Sequence, residues 1–130
     1  METATFEDLL KLKLRKEEQS SEAVEFPIAS LGKMLRFHAP TSVQQLDFID
    51  AARKSGDISG CYPAYKQLVY DCCDMLHTAE LQNQCDCKEP TDIVDKLFTP
   101  LELIELGDRL TDRFFRLGDA VKNSYGMTEK

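Results

Sequence analysis

The chain has 130 residues, 42% of them hydrophobic, enough for one compact core and too little for two ordinary domains. Its 16 lysines and arginines stand against 23 aspartates and glutamates, a net charge of -7 that repels phosphate backbones and anionic lipid. Nucleic acid and membrane are therefore not expected partners. The one basic cluster, Lys11, Lys13, Arg15 and Lys16, runs straight into Glu17 and Glu18, and no stretch approaches the ~20 apolar residues that span a bilayer.

Charges interrupt residues 1–14 where a signal peptide would carry its apolar run, which points to the cytoplasm. The five cysteines are odd in number and two are adjacent, Cys72 and Cys73, so reduced thiols are expected rather than a disulfide framework.

Thr5, with Asp8 three residues on, is placed to cap a first helix carrying Phe6, Leu9 and Leu10. Leu10, Leu12 and Leu14 alternate with Lys11 and Lys13 at the period of a strand, however, so this arm reads equally as an element that pairs with a sheet or with a partner. Residues 17–22 are polar and read as a linker, making residues 1–21 a mobile arm and 22–130 the folded body of a single domain.

Val24, Phe26 and Ile28 then alternate as a strand, with Pro27 suiting an edge. Gly32 offers a turn and residues 34–37 a second strand, closing at Pro40.

From Thr41, with Gln44 as its capping-box partner, Val43, Leu46, Phe48, Ile49 and Ala52 have helical period until Ser55 and Gly56. Residues 56–60 read as a loop. A helix starting near Pro63 places Tyr65, Leu68, Val69, Cys72 and Leu76 on one stripe, and the polar run 82–90 ends it. Thr91 and Asp92 open a short helix through Ile93, Val94, Leu97 and Phe98. Thr99, Pro100 and Glu102 give the clearest helix start in the chain. On that last helix Leu103, Leu106, Leu110, Phe114 and Leu117 form the core stripe, and Ile104 and Phe115 widen it enough to meet a partner. The expected fold is α+β, mostly α: a small N-terminal antiparallel β-hairpin followed by about four helices.

No enzyme chemistry is expected. The two histidines, His38 and His77, lack a serine elbow or a cysteine-nucleophile signature, and there is no phosphate loop, paired-histidine zinc helix or calcium loop. Asp92 with Asp95 and Asp108 with Asp112 read as solvated helix faces. Cys72, Cys73, His77, Cys85 and Cys87 are of the types zinc prefers. A small zinc-binding regulatory or adaptor domain built on Cys73, His77, Cys85 and Cys87 is the competing reading, although one residue between Cys85 and Cys87 is tighter than the usual knuckle. No metal or cofactor is assigned.

Three runs of the second half carry a resemblance: LHTAELQ at residues 76–82, PTDIVDKL at 90–97 and TPLEL at 99–103. In this order they resemble the tail assembly chaperone family of long-tailed phages and prophages, of the XkdN-like kind. There a Leu-Gln step precedes a helix of the type Asp-x-Val-x-Lys-Leu, and a proline and a glutamate then open the last helix. Leu81 and Gln82, residues 93–97, and Pro100 and Glu102 match those elements. Where family members carry a glycine soon after the Leu-Gln step, this chain has Cys85, Asp86 and Cys87. The sharp similarity spans residues 76–106, and the hairpin and the helix after it fall where the family has its small sheet.

The resemblance implies a late protein of the host cytoplasm that binds the tape measure protein. It would keep that protein soluble while the tail tube assembles and be absent from the finished virion, with the tail tube protein as a further partner and self-association open to it. The expected contact residues are Leu10, Leu12 and Leu14 on the arm, and Ile104 and Phe115 on the last helix.

Overall fold

In the computed structural model, residues 2–55 and 58–115 are described. The alternation of Val24, Phe26 and Ile28 becomes strand β1 (Ala23–Ile28), which pairs antiparallel with β2 (Lys33–His38). The register sets Val24 opposite Phe37 and Phe26 opposite Leu35 on the inner face, and Glu25 opposite Arg36 on the outer one. At the turn Leu31 and Gly32 both donate their N–H to the Ile28 carbonyl, and Gly32 has φ +68, a conformation that favours glycine. In this two-stranded sheet of the described residues each strand is an edge, so Pro27 removes no ladder bond from a central strand.

Helix α1 (Phe6–Ser20) precedes this hairpin. After it come α2 (Ser42–Ser55), α3 (Ile58–Cys72), a 3-10 turn (Asp74–His77), α4 (Ala79–Gln84), α5 (Asp92–Leu97) and α6 (Pro100–Phe114). Capping sets several of the starts. Thr41 and Gln44 exchange bonds of 2.9 and 3.2 Å, and Thr99 and Glu102 exchange bonds of 3.0 and 3.2 Å ahead of Pro100.

α3 packs against α2, α5 and α6, and β1 lies on α6. The core between them is built from Leu68, Val69 and Cys72 of α3, Leu76 of the 3-10 turn, Ile93 and Val94 of α5, and Leu103, Leu106 and Leu110 of α6, roofed by Ile28 and Phe37. Each fully buried aliphatic side chain here contributes roughly 1.5–3 kcal/mol over an exposed one. The hairpin runs along α6: its base is held by the Arg113 to Glu22 pair at 2.6 Å, its middle by Arg109 over the Phe26 ring at 5.9 Å.

The fold is thus α+β and mostly helical, with a hairpin near the N-terminus followed by helices, as the sequence predicts. Several boundaries differ. The expected linker at 17–22 is helical to Ser20, because Glu17 pairs with Lys13 one turn back and Ser20 and Ser21 return their hydroxyls to the carbonyls of Glu17 and Glu18. α3 begins at Ile58, so 58–60 of the expected loop are helical and Pro63 lies in the second turn; Gly56 lies outside the described residues.

The stripe through Leu76 breaks at Cys73, whose φ -123 and ψ 102 leave the helix, yet Leu76 is still buried from the 3-10 turn. The polar run after residue 82 is helical as far as Gln84, which makes five α-helices after the hairpin among the described residues. α6 ends at Phe114, and Leu117 lies outside the described residues.

Candidate partner-binding surface

The leucine-lysine alternation at 10–14 is compatible with strand or helix, and local bonding decides it. Thr5 receives the Asp8 N–H at 3.2 Å and gives its own N–H to the Asp8 carboxylate at 2.9 Å. The Thr5 N–H, and after it the Thr5 hydroxyl, hold the Asp8 carboxyl below its usual range. A capped helix closes its backbone bonds internally, whereas a strand would need an edge to pair with.

Once formed, α1 buries none of its residues. Phe6 is 77% exposed, Leu9 57%, Leu10 46%, Leu12 56% and Leu14 59%. At 3.6 residues per turn Phe6, Leu10 and Leu14 make one stripe, while Leu12 is turned roughly 160° from Leu10 and joins Leu9. The expected set Leu10, Leu12 and Leu14 is thereby divided between two sides of the helix. The surface also takes in Phe6 and Leu9, whose helical spacing was legible but which sequence reasoning left out of the contact set.

The other expected contacts behave differently. Ile104 is half-buried on α6. Phe115 is half-buried too, its ring 5.0 Å from that of Phe48, which stacks in turn on Tyr65 at 5.9 Å. That aromatic column commits Phe115 to packing within the chain. Phe115 nevertheless lines a cleft of about 590 Å³ whose opposite wall is the last turn of α1, with Lys16, Gln19 and Ser20. Of the expected contact residues Phe115 lines this cleft, and Leu10, Leu12, Leu14 and Ile104 do not.

Leu81, Gln82, Pro100 and Glu102, which carry the resemblance, have structural duties. Leu81 packs against the core. Gln82 donates through Nε2 to the carbonyls of Leu76 (2.9 Å) and Pro90 (3.2 Å), while its own carbonyl takes the Cys87 N–H, so one side chain and its backbone fasten the loop 85–90. Within that loop Asp86 has φ 55, the left-handed conformation a glycine adopts most readily. Pro100 and Glu102 start α6, and the Thr99 N–H, followed by the Ser30 hydroxyl, holds the Glu102 carboxyl below its usual range.

The donors of the zinc reading are not brought together. Cys72 and Cys73 are fully buried, and burial pushes the Cys72 thiol up to about 12 and the Cys73 thiol upward as well. His77 stacks on the Tyr70 ring at 4.0 Å with Nε2 2.7 Å from the Tyr70 carbonyl. Cys85 and Cys87 are half-buried beside α4, and desolvation raises the Cys87 thiol. Among the described residues no three or more His, Cys, Asp or Glu side chains are placed to hold a metal.

The paired acids have local duties. Asp92 accepts the N–H groups of Lys88 and Glu89, Asp95 holds Lys66 and Tyr62, and Asp108 takes the Tyr65 hydroxyl. His38 joins β2 to the 3-10 turn, with Nε2 3.0 Å from Asp74 Oδ1.

Comparison of the chain with protein-family models, with curated proteins and with solved structures gave no match. No helix among the described residues is long and apolar enough to cross a membrane.

Proposed function

We propose that this chain is a protein-binding chaperone that shields an apolar helical partner, and that the partner is the tape measure protein of a long phage tail. The observation that carries the reading is α1: a capped helix of 15 residues that buries none of them while exposing Phe6, Leu9, Leu10, Leu12 and Leu14. An apolar surface of this kind on an otherwise acidic chain is a place for another protein. A helix laid along one side would bury Phe6, Leu10 and Leu14, or Leu9 and Leu12, and the net charge of -7 would keep the resulting complexes apart and in solution.

The motif order at residues 76–106 supplies the tail-assembly part of the proposal, with action in the host cytoplasm and release before the virion is complete. Its residues fasten the loop behind α4 and start α6; they serve the scaffold, and α1 serves the contact.

Co-expression with the tail gene cluster tests this. Tape measure protein should be soluble in the presence of the chain and aggregated in its absence. Equal solubility in both cases would overturn it.

A further inference from the structure

We infer that the segment docking on α1 is an acidic amphipathic helix of the partner protein; this rests on α1 being the binding element proposed above. Residues 9–16 are four leucines and four cations and nothing else, while Glu7, Asp8, Glu17 and Glu18 close the two ends. The excess negative charge of the chain therefore lies outside this band.

Within the band Lys13 pairs with Glu17 at 3.0 Å, but Lys11, Arg15 and Lys16 enter no ion pair among the described residues. Lys11 and Arg15 stand four apart on the helix, a like-charge spacing that costs roughly 0.2–0.5 kcal/mol. Carboxylates brought alongside would relieve that repulsion and pair with the cations that flank the docked side. A helix with a leucine seam and acidic margins supplies apolar contact for the leucines and counter-charge for the cations together.

The same composition would draw a simple amphipathic helix to anionic lipid, and the arrangement argues against that here. Counted around the helix, Lys13 and Lys16 fall among Phe6, Leu9 and Leu12, so cations break the apolar arc that a membrane-surface helix must bury whole. A bilayer is also charged well beyond the span of α1 and would face Glu7, Asp8, Glu17, Glu18 and the acidic body. A partner helix of roughly 10 Å diameter meets the band alone.

The test uses the full chain and three synthetic helical peptides that share one leucine stripe and differ only in flanking residues: glutamate, glutamine or lysine. Binding is read by fluorescence anisotropy at low and high salt, and sedimentation with phosphatidylglycerol vesicles runs in parallel. The glutamate peptide should bind at least about tenfold tighter than the lysine peptide at low salt. That preference should shrink to within about twofold in the triple variant Lys11→Gln, Arg15→Gln, Lys16→Gln, and high salt should weaken it in the unaltered chain. The variant keeps good helix formers at exposed positions and should fold normally.

Equal binding of the glutamate and lysine peptides, with binding still lost in Leu10→Glu, Leu14→Glu, would overturn the charge inference and leave α1 as the binding element. Peptide binding indifferent to Leu10 and Leu14 would overturn the reading of α1 itself. Sedimentation of the chain with vesicles would overturn the protein partner in favour of lipid.

Discussion

Gly107 lies directly beneath the ring of Tyr65: a Cβ on Gly107 would stand 2.5 Å from Tyr65 Cγ and under 3 Å from both Cδ atoms. The glycine is what lets α3 and α6 approach closely enough to bury Leu68, Val69, Leu106 and Leu110 between them. Gly107→Ala should destabilise the fold. The gain in helix propensity is at most about 1 kcal/mol, and overpacking against an aromatic ring costs about 1–3 kcal/mol. Urea unfolding of the variant checks this, and Tyr65→Leu in the same background should recover part of the loss.

The Tyr65 hydroxyl gives a second prediction. Burial, and after it the 2.6 Å bond to Asp108, raises its pKa to about 12 from an ordinary value of 10. The folded chain therefore keeps this proton at pH values where the unfolded chain has lost it. The stabilisation is fully present below pH 10 and should fall as pH rises from about 10 to about 12. Thermal unfolding across that range should show the decline, and Tyr65→Phe should flatten it.

The loop behind α4 is held by Gln82 and contains the one non-glycine residue with positive φ among the described residues, Asp86. Gln82→Ala removes two bonds to carbonyls and should cost about 1–2 kcal/mol. Asp86→Gly removes left-handed strain and should stabilise by up to about 1 kcal/mol. Both are read by chemical denaturation, and a destabilised Asp86→Gly would mean that the aspartate side chain has a duty of its own.

Thiol labelling separates the cysteines. Cys72 and Cys73 are fully buried with their thiols raised, whereas Cys85 and Cys87 are half-buried. Under native conditions a thiol reagent should modify Cys85 and Cys87 well before Cys72 and Cys73, which should react only on unfolding.

Much of the fold could be read from local chemistry, because hydroxyl-carboxylate and hydroxyl-amide caps at Thr5, Thr41 and Thr99 involve residues three apart and need no tertiary context. The hairpin was legible for the same reason, since its register follows a turn and a period of two. The break at Cys73 was not, because Leu76 has helical spacing from Cys72 and is buried either way. Only the backbone path differs, and periodicity does not report it.

The proposed contact surface was legible in part. Leu10, Leu12 and Leu14 could be named, but whether they formed one stripe or two depended on whether the arm was strand or helix. Phe115 could not be distinguished from a free contact, because its partner Phe48 lies far away in sequence.

On the proposed function α1 binds the partner and contributes little to the stability of the body. The decisive measurement is capture of the tape measure protein by the purified chain, compared with Leu10→Glu, Leu14→Glu, with thermal unfolding of both recorded alongside. Because α1 buries none of its residues, exposed substitutions there should leave stability within about 0.5 kcal/mol while capture is lost. Undiminished capture by the variant, at unchanged stability, would contradict the account.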